Sequence, residues 1–97
     1  MINLNFIEKD NKYVAEFKAE GDFSLHIEKG QNQYIGMSQK SIEDGKYDTV
    51  DKFPYGPNDR VIDTEVRDFL APKWFRITCS AMPDKAVVVS ESDITVL

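Results

Sequence analysis

The stretch 72–81, PKWFRITCSA, decides how this chain folds. Its residues alternate. Phe75, Ile77 and Cys79 fall on one side, and Trp74, Arg76, Thr78 and Ser80 on the other. Successive side chains of a strand point to opposite faces, so the run predicts a strand with one apolar and one mixed face. Pro72 suits its entrance, where a missing N–H costs least, and Pro83-Asp84 supplies the turn that ends it. The apolar face makes Phe75 and Ile77 core residues and Cys79 a small buried filler.

The same period-two pattern recurs outward from this run. Ile2–Ile7 reads as a strand with Ile2, Leu4 and Phe6 on one side. Glu8–Asn11 is a polar turn, and Lys12–Lys18 completes a hairpin with Phe17 inward. Gly21-Asp22 breaks the chain before Phe23–Lys29, which places Phe23, Leu25 and Ile27 inward and Ser24, His26 and Glu28 outward. After the turn Gly30-Gln31-Asn32, the run Gln33–Ser38 predicts another strand, in which Gly36 marks a bulge or a close backbone approach. Turn chemistry centres on Asp44-Gly45, a short strand is expected within Tyr47–Phe53, and Pro54–Asp59 is the densest breaker segment. Arg60–Val66 fits a half-exposed edge, while Ala86–Ser90 and Asp93–Leu97 supply the last two runs. Turn signals every 8–12 residues or so mark an all-β sandwich or barrel. The expectation is one domain over residues 1–97. It is an antiparallel β-sandwich of about seven to eight strands, with a jelly roll among the ways to connect them.

The net charge of −5 comes from 12 Lys plus Arg against 17 Asp plus Glu, and the acidic excess is spread over both halves of the chain. No basic stripe is present to neutralise phosphates, which argues against nucleic-acid or anionic-membrane partners. No stretch is long and apolar enough for a transmembrane helix. The N-terminal MINLNFIEKD lacks the charged and apolar regions of a signal peptide, so a cytoplasmic site of synthesis is expected. The single cysteine, Cys79, has no intrachain disulfide partner.

Candidate chemistry is sparse. His26 is the single histidine, and its strand sets Ser24, His26 and Glu28 in a row on the polar face. A triad needs convergence onto an oxyanion site, so this row reads as a solvated face instead. One His and one Cys cannot supply the four ligands of a structural zinc, and the acidic turns match no calcium-loop spacing. No phosphate loop, nucleophile elbow or CxxC is present, so no cofactor is expected and the chain reads as a non-enzyme. Three side chains remain as binding candidates: Tyr55, Trp74 and Arg76. Tyr55, between Pro54 and Gly56, is either a loop contact residue or a plug folded back on its own loop. Trp74 lies on the mixed face beside Arg76 and either stacks on a sugar, anchors a subunit interface, or is covered by the chain's own loops. The consecutive valines 87–89 would be a hazard if left on an edge, and together with Trp74 they predict a homo-oligomer, or a monomer that assembles only on its partner.

Three segments carry a family resemblance: KYVAEFKAEGDFSLHIEK (12–29), GKYDTVDKFPY (45–55) and PKWFRITCSAMPDKAVVVSES (72–92). They resemble small β-sandwich proteins encoded in the virion-structure regions of gut Bacteroidales phages and prophages. The shared features are an acidic hairpin from Glu16 to Glu28, a Pro-Lys-apolar-apolar-Arg-Ile strand from Pro72 to Ile77, and a turn from Ser80 to Val88. The resemblance covers about half the chain and involves no catalytic residue. It implies a virion component assembled in the host cytoplasm: a capsid decoration, fibre or tail piece that binds copies of itself and another phage structural protein. The alternative expectation is a carbohydrate-binding module that uses exposed aromatics.

Overall fold

The computed structural model describes residues 1–41, 45–49 and 58–97, with Ser41 and Thr49 described by their backbone alone. These residues form an all-β sandwich of two antiparallel sheets, with no helix among them. One sheet has the order β1 (Ile2–Asn3), β9 (Lys85–Val89), β4 (Phe23–Glu28), β7 (Val61–Val66). The other runs β10 (Ile94–Val96), β3 (Lys12–Ala19), β8 (Lys73–Cys79), β5 (Ile35–Ser41), β6 (Asp48–Thr49). A further short strand, β2 (Ile7–Lys9), pairs with the first half of β3, while β10 pairs with its second half. The second sheet therefore has six strands in five positions, with β2 and β10 end to end along one edge.

Without β2 and β10, eight strands remain, and their pairing follows a simple rule. The first pairs with the last (β1 with β9), the second with the seventh (β3 with β8), the third with the sixth (β4 with β7), and the two middle ones with each other (β5 with β6). This is a long antiparallel hairpin rolled around a core, the jelly roll that the spacing of turns allows. Of the two short edge strands, β10 falls in the expected run Asp93–Leu97, whereas β2 takes in Glu8 and Lys9 from the expected turn.

The core lies between the sheets. Phe17, Leu25, Ile27, Phe75 and Ile77, placed inward by alternation, are all fully buried. Four rings meet at one end. Phe75 is 4.8 Å from Phe23, 5.1 Å from Phe69 and 5.6 Å from Phe17, with edge contacts to the first two and a stacked contact to the third. Cys79 is buried as expected, and burial pushes its thiol pKa up to about 12 despite the opposing charge of Lys29. A thiol so protonated is a poor nucleophile.

Four details differ from the pattern read in the sequence. The alternating run at residues 2–7 is split between the two sheets. Leu4 N–H still donates to Ala86 O of β9, after which the chain crosses to the other sheet and starts β2 at Ile7. The hairpin turn shrinks to Asp10-Asn11, both at positive φ (51° and 64°), as a tight turn that matches strand twist requires. The fourth main strand begins at Ile35, because Gln33 serves a different purpose. Its buried carboxamide donates from Nε2 to Lys29 O and Ala81 O, and its Oε1 accepts from Ala81 N–H and Ser80 Oγ–H. Finally, the valines of β9 are not an exposed edge, since β1 and β4 flank that strand on both sides.

Candidate functional site

The outer face of the six-stranded sheet holds Trp74 and Arg76, and the register sets its side chains in rows across β3, β8 and β5. Lys18, Trp74 and Lys40 form one row; Glu16, Arg76 and Ser38 the next; Val14, Thr78 and Gly36 the third. Lys12, Ser80 and Tyr34 continue the same alternation one step beyond the third row.

Arg76 is not a free platform. Its Nη2 donates to Glu16 Oε1 at 3.4 Å, and its guanidinium lies 3.9 Å over the Tyr47 ring. The Tyr47 hydroxyl donates to the other Glu16 oxygen at 2.8 Å, and the Lys40 ammonium lies 4.7 Å from the same ring. Burial, reinforced by the bond to Glu16, raises the Tyr47 phenol far above its ordinary range and keeps it a donor. The Glu16–Tyr47–Arg76 group thus fills the middle of the face. The Arg76 Nε–H is buried without a hydrogen-bond partner among the described residues. Trp74 is half-buried between Lys18, which pairs with Glu20 at 3.6 Å, and Lys40. Tyr55 lies outside the described residues, so Trp74 and Arg76 are the two of the three sequence candidates that can be placed, two residues apart on one face.

Above the filled region the face opens. Lys12, Tyr34, Gly36, Ser38, Thr78 and Ser80 line a concavity of about 510 Å³. Gly36 does not bulge: it pairs in a regular ladder with Thr78, and a Cβ placed on it would meet nothing within 4 Å. Neither reason expected for a glycine here, a bulge or a close backbone approach, applies.

The opposite face of the sandwich carries His26. Its Nδ1 is 2.6 Å from Asp63 Oδ1 on the neighbouring strand β7, and its Nε2 is 3.1 Å from Glu28 Oε2. A neutral imidazole has one N–H, so only the protonated ring donates to both carboxylates. The bonds to Asp63 and Glu28 accordingly raise the His26 pKa above 6.5. The two carboxylates sit at opposite ring nitrogens and cannot share an ion. Among the described residues no group of three or more His, Cys, Asp or Glu side chains is placed to hold a metal. Ser24, two residues away on the same face, makes no triad with this pair, since both ring nitrogens are already taken. Asp63 had no signal in the sequence, because its contact depends on the β4–β7 register.

This arrangement sets a pH dependence. A histidine whose folded pKa is raised stabilises the fold below its unfolded pKa, and the contribution is lost as pH rises through the folded value. His26→Gln is therefore expected to lower the melting temperature at about pH 5.5 and to have little effect at about pH 9. Thermal melts of both proteins at the two pH values measure it. An equal loss at both would mean that packing, not charge, holds His26. The effect is modest, since the pair is solvent-screened.

Among the described residues no helix is long and apolar enough to cross a membrane. No family model, no curated protein and no solved structure matches the chain.

Proposed function

We propose that this protein is a non-enzymatic structural or accessory component of a phage particle, acting by assembly with copies of itself and with another particle protein. The observation that carries the reading is the divided edge of the six-stranded sheet. There β2 and β10 meet end to end, and Ile7 and Leu97 are 58% and 62% exposed. Ile7 pairs with Val14 on β3, and Leu97 N–H donates to Glu16 O two residues further along the same strand. The two aliphatic side chains therefore flank one short segment of edge. Large apolar groups clustered on an edge are what protein contacts cover, and an edge that is divided between two short strands resists uncontrolled strand addition. The segment resemblance to virion-region β-sandwich proteins gives this surface its context.

The test is the state of association in solution. Light scattering over a concentration series is expected to show a homo-oligomer, and the double variant Ile7→Glu, Leu97→Glu to weaken it by roughly tenfold or more. Both side chains are exposed, so the melting temperature of the separated subunits should hold. Wild type that remains monomeric at millimolar concentration removes self-assembly from the proposal. Genes for portal or capsid proteins beside this one would support the particle assignment, and polysaccharide-degradation genes would oppose it.

A further inference from the structure

The open concavity on the outer face of the six-stranded sheet has a construction that the fold itself does not require. Its floor is the cross-strand pair Thr78 and Gly36. One side is bounded by Lys12, Ser80 and Tyr34, and the other by Ser38 next to the filled Glu16–Tyr47–Arg76 group. Glycine weakens a strand interior, and here neither backbone conformation nor crowding calls for it. What its missing side chain does is leave a slot across the sheet.

Of the polar groups around the slot, the Ser80 hydroxyl is engaged by Gln33 and the others are not. Tyr34 is 68% exposed, and among the described residues neither its hydroxyl and ring nor the Lys12 ammonium nor the Ser38 and Thr78 hydroxyls have a side-chain partner. An exposed ring beside a shallow floor, with hydroxyls and one ammonium lining the same concavity, is a mixed surface: one apolar plate and several hydrogen-bonding groups. A pyranose ring has the matching chemistry, with an apolar face of C–H groups and a rim of hydroxyls that both donate and accept. A peptide strand is a poorer match, because β5 and β8 already spend their backbone groups on each other and offer no free ladder.

We propose that this slot binds one pyranose unit of a glycan, stacked on Tyr34 and hydrogen-bonded by Lys12, Ser38 and Thr78. It is distinct from the divided edge that carries the assembly reading, and either can fail without the other.

An array of hexose, N-acetylhexosamine and uronate oligosaccharides is the first experiment, followed by amide chemical-shift titration with the best-retained oligosaccharide. Binding is expected, with shifts at Tyr34, Gly36 and Thr78. Gly36→Leu should fill the slot and abolish binding, at least tenfold in Kd, while the melting temperature stays unchanged or rises, since the added side chain enters open space. Tyr34→Ala, at a position exposed to solvent, should lose a similar factor and guards against a folding defect in the first variant. The proposal is overturned if no array member is retained. It is equally overturned if binding survives both substitutions, or if the slot amides shift with protein concentration instead of with sugar, which would make the slot a contact between copies.

Discussion

Phe75→Ala is expected to lower the unfolding free energy by about 3–5 kcal/mol, the range for deleting a buried ring that leaves a cavity. Phe75 is fully buried in the middle of β8, the strand flanked by β3 and β5. Its ring touches Phe17 from its own sheet, Phe23 from the facing sheet and Phe69 from the segment between β7 and β8. Removing it therefore takes a shared partner from three other rings at once. The surrounding strands are held by ladders on both sides and cannot collapse into the space, which places the cost toward the upper end of the range. Urea melts measure it. A loss under about 0.5 kcal/mol, typical of surface positions, would remove β8 from the centre of the core. For a protein of ordinary marginal stability the expected loss leaves little margin.

Gln33→Leu is expected to cost about 2–4 kcal/mol although it replaces a polar side chain with an apolar one of similar size. Gln33 is 5% exposed, and its carboxamide is the partner of four groups: the carbonyls of Lys29 and Ala81, the N–H of Ala81 and the hydroxyl of Ser80. It thus ties the turn after β4 to the end of β8. Leucine would restore the packing volume but leave backbone groups without partners in a place that water reaches poorly, and the cost of an unmade bond exceeds the gain from a made one. Gln33→Glu provides a control, since it keeps the acceptor and removes the two donated bonds. A Leu variant as stable as wild type in urea would show that the surrounding backbone finds water instead.

The same position shows where reading the sequence stops. Gln33 looks like the first residue of a strand, since a polar residue beside a turn carries no mark of burial. Its neighbours in space are 48 positions away at Ala81, so only the folded chain reveals that the amide is used as a clamp. His26 is similar. The alternation of β4 puts it on the polar face, but the carboxylate that charges it, Asp63, is 37 positions away and meets it through the β4–β7 register. Gly36 is the reverse. The sequence flags it as special, and the structure replaces a backbone reason with a surface one, because the space above it is empty.

What the sequence determined by itself is the set of inward faces. Period-two alternation in β3, β4 and β8 follows from strand geometry alone, and it placed Phe17, Leu25, Ile27, Phe75, Ile77 and Cys79 in the core without any knowledge of partners. What only the tertiary structure decided is which strand lies beside which. The roll that pairs β1 with β9 and β3 with β8 brings together residues from opposite ends of the chain, and hydrophobic pattern is silent on that choice, because an apolar inward face does not specify which strand lies beside it. The same pairing divides the first alternating run between two sheets, places the valines of β9 between two neighbours, and aligns Tyr34, Gly36 and Thr78 into one slot. Outward faces gain their chemistry from neighbours across the ladder, so the candidate sites of this protein are products of register rather than of local sequence.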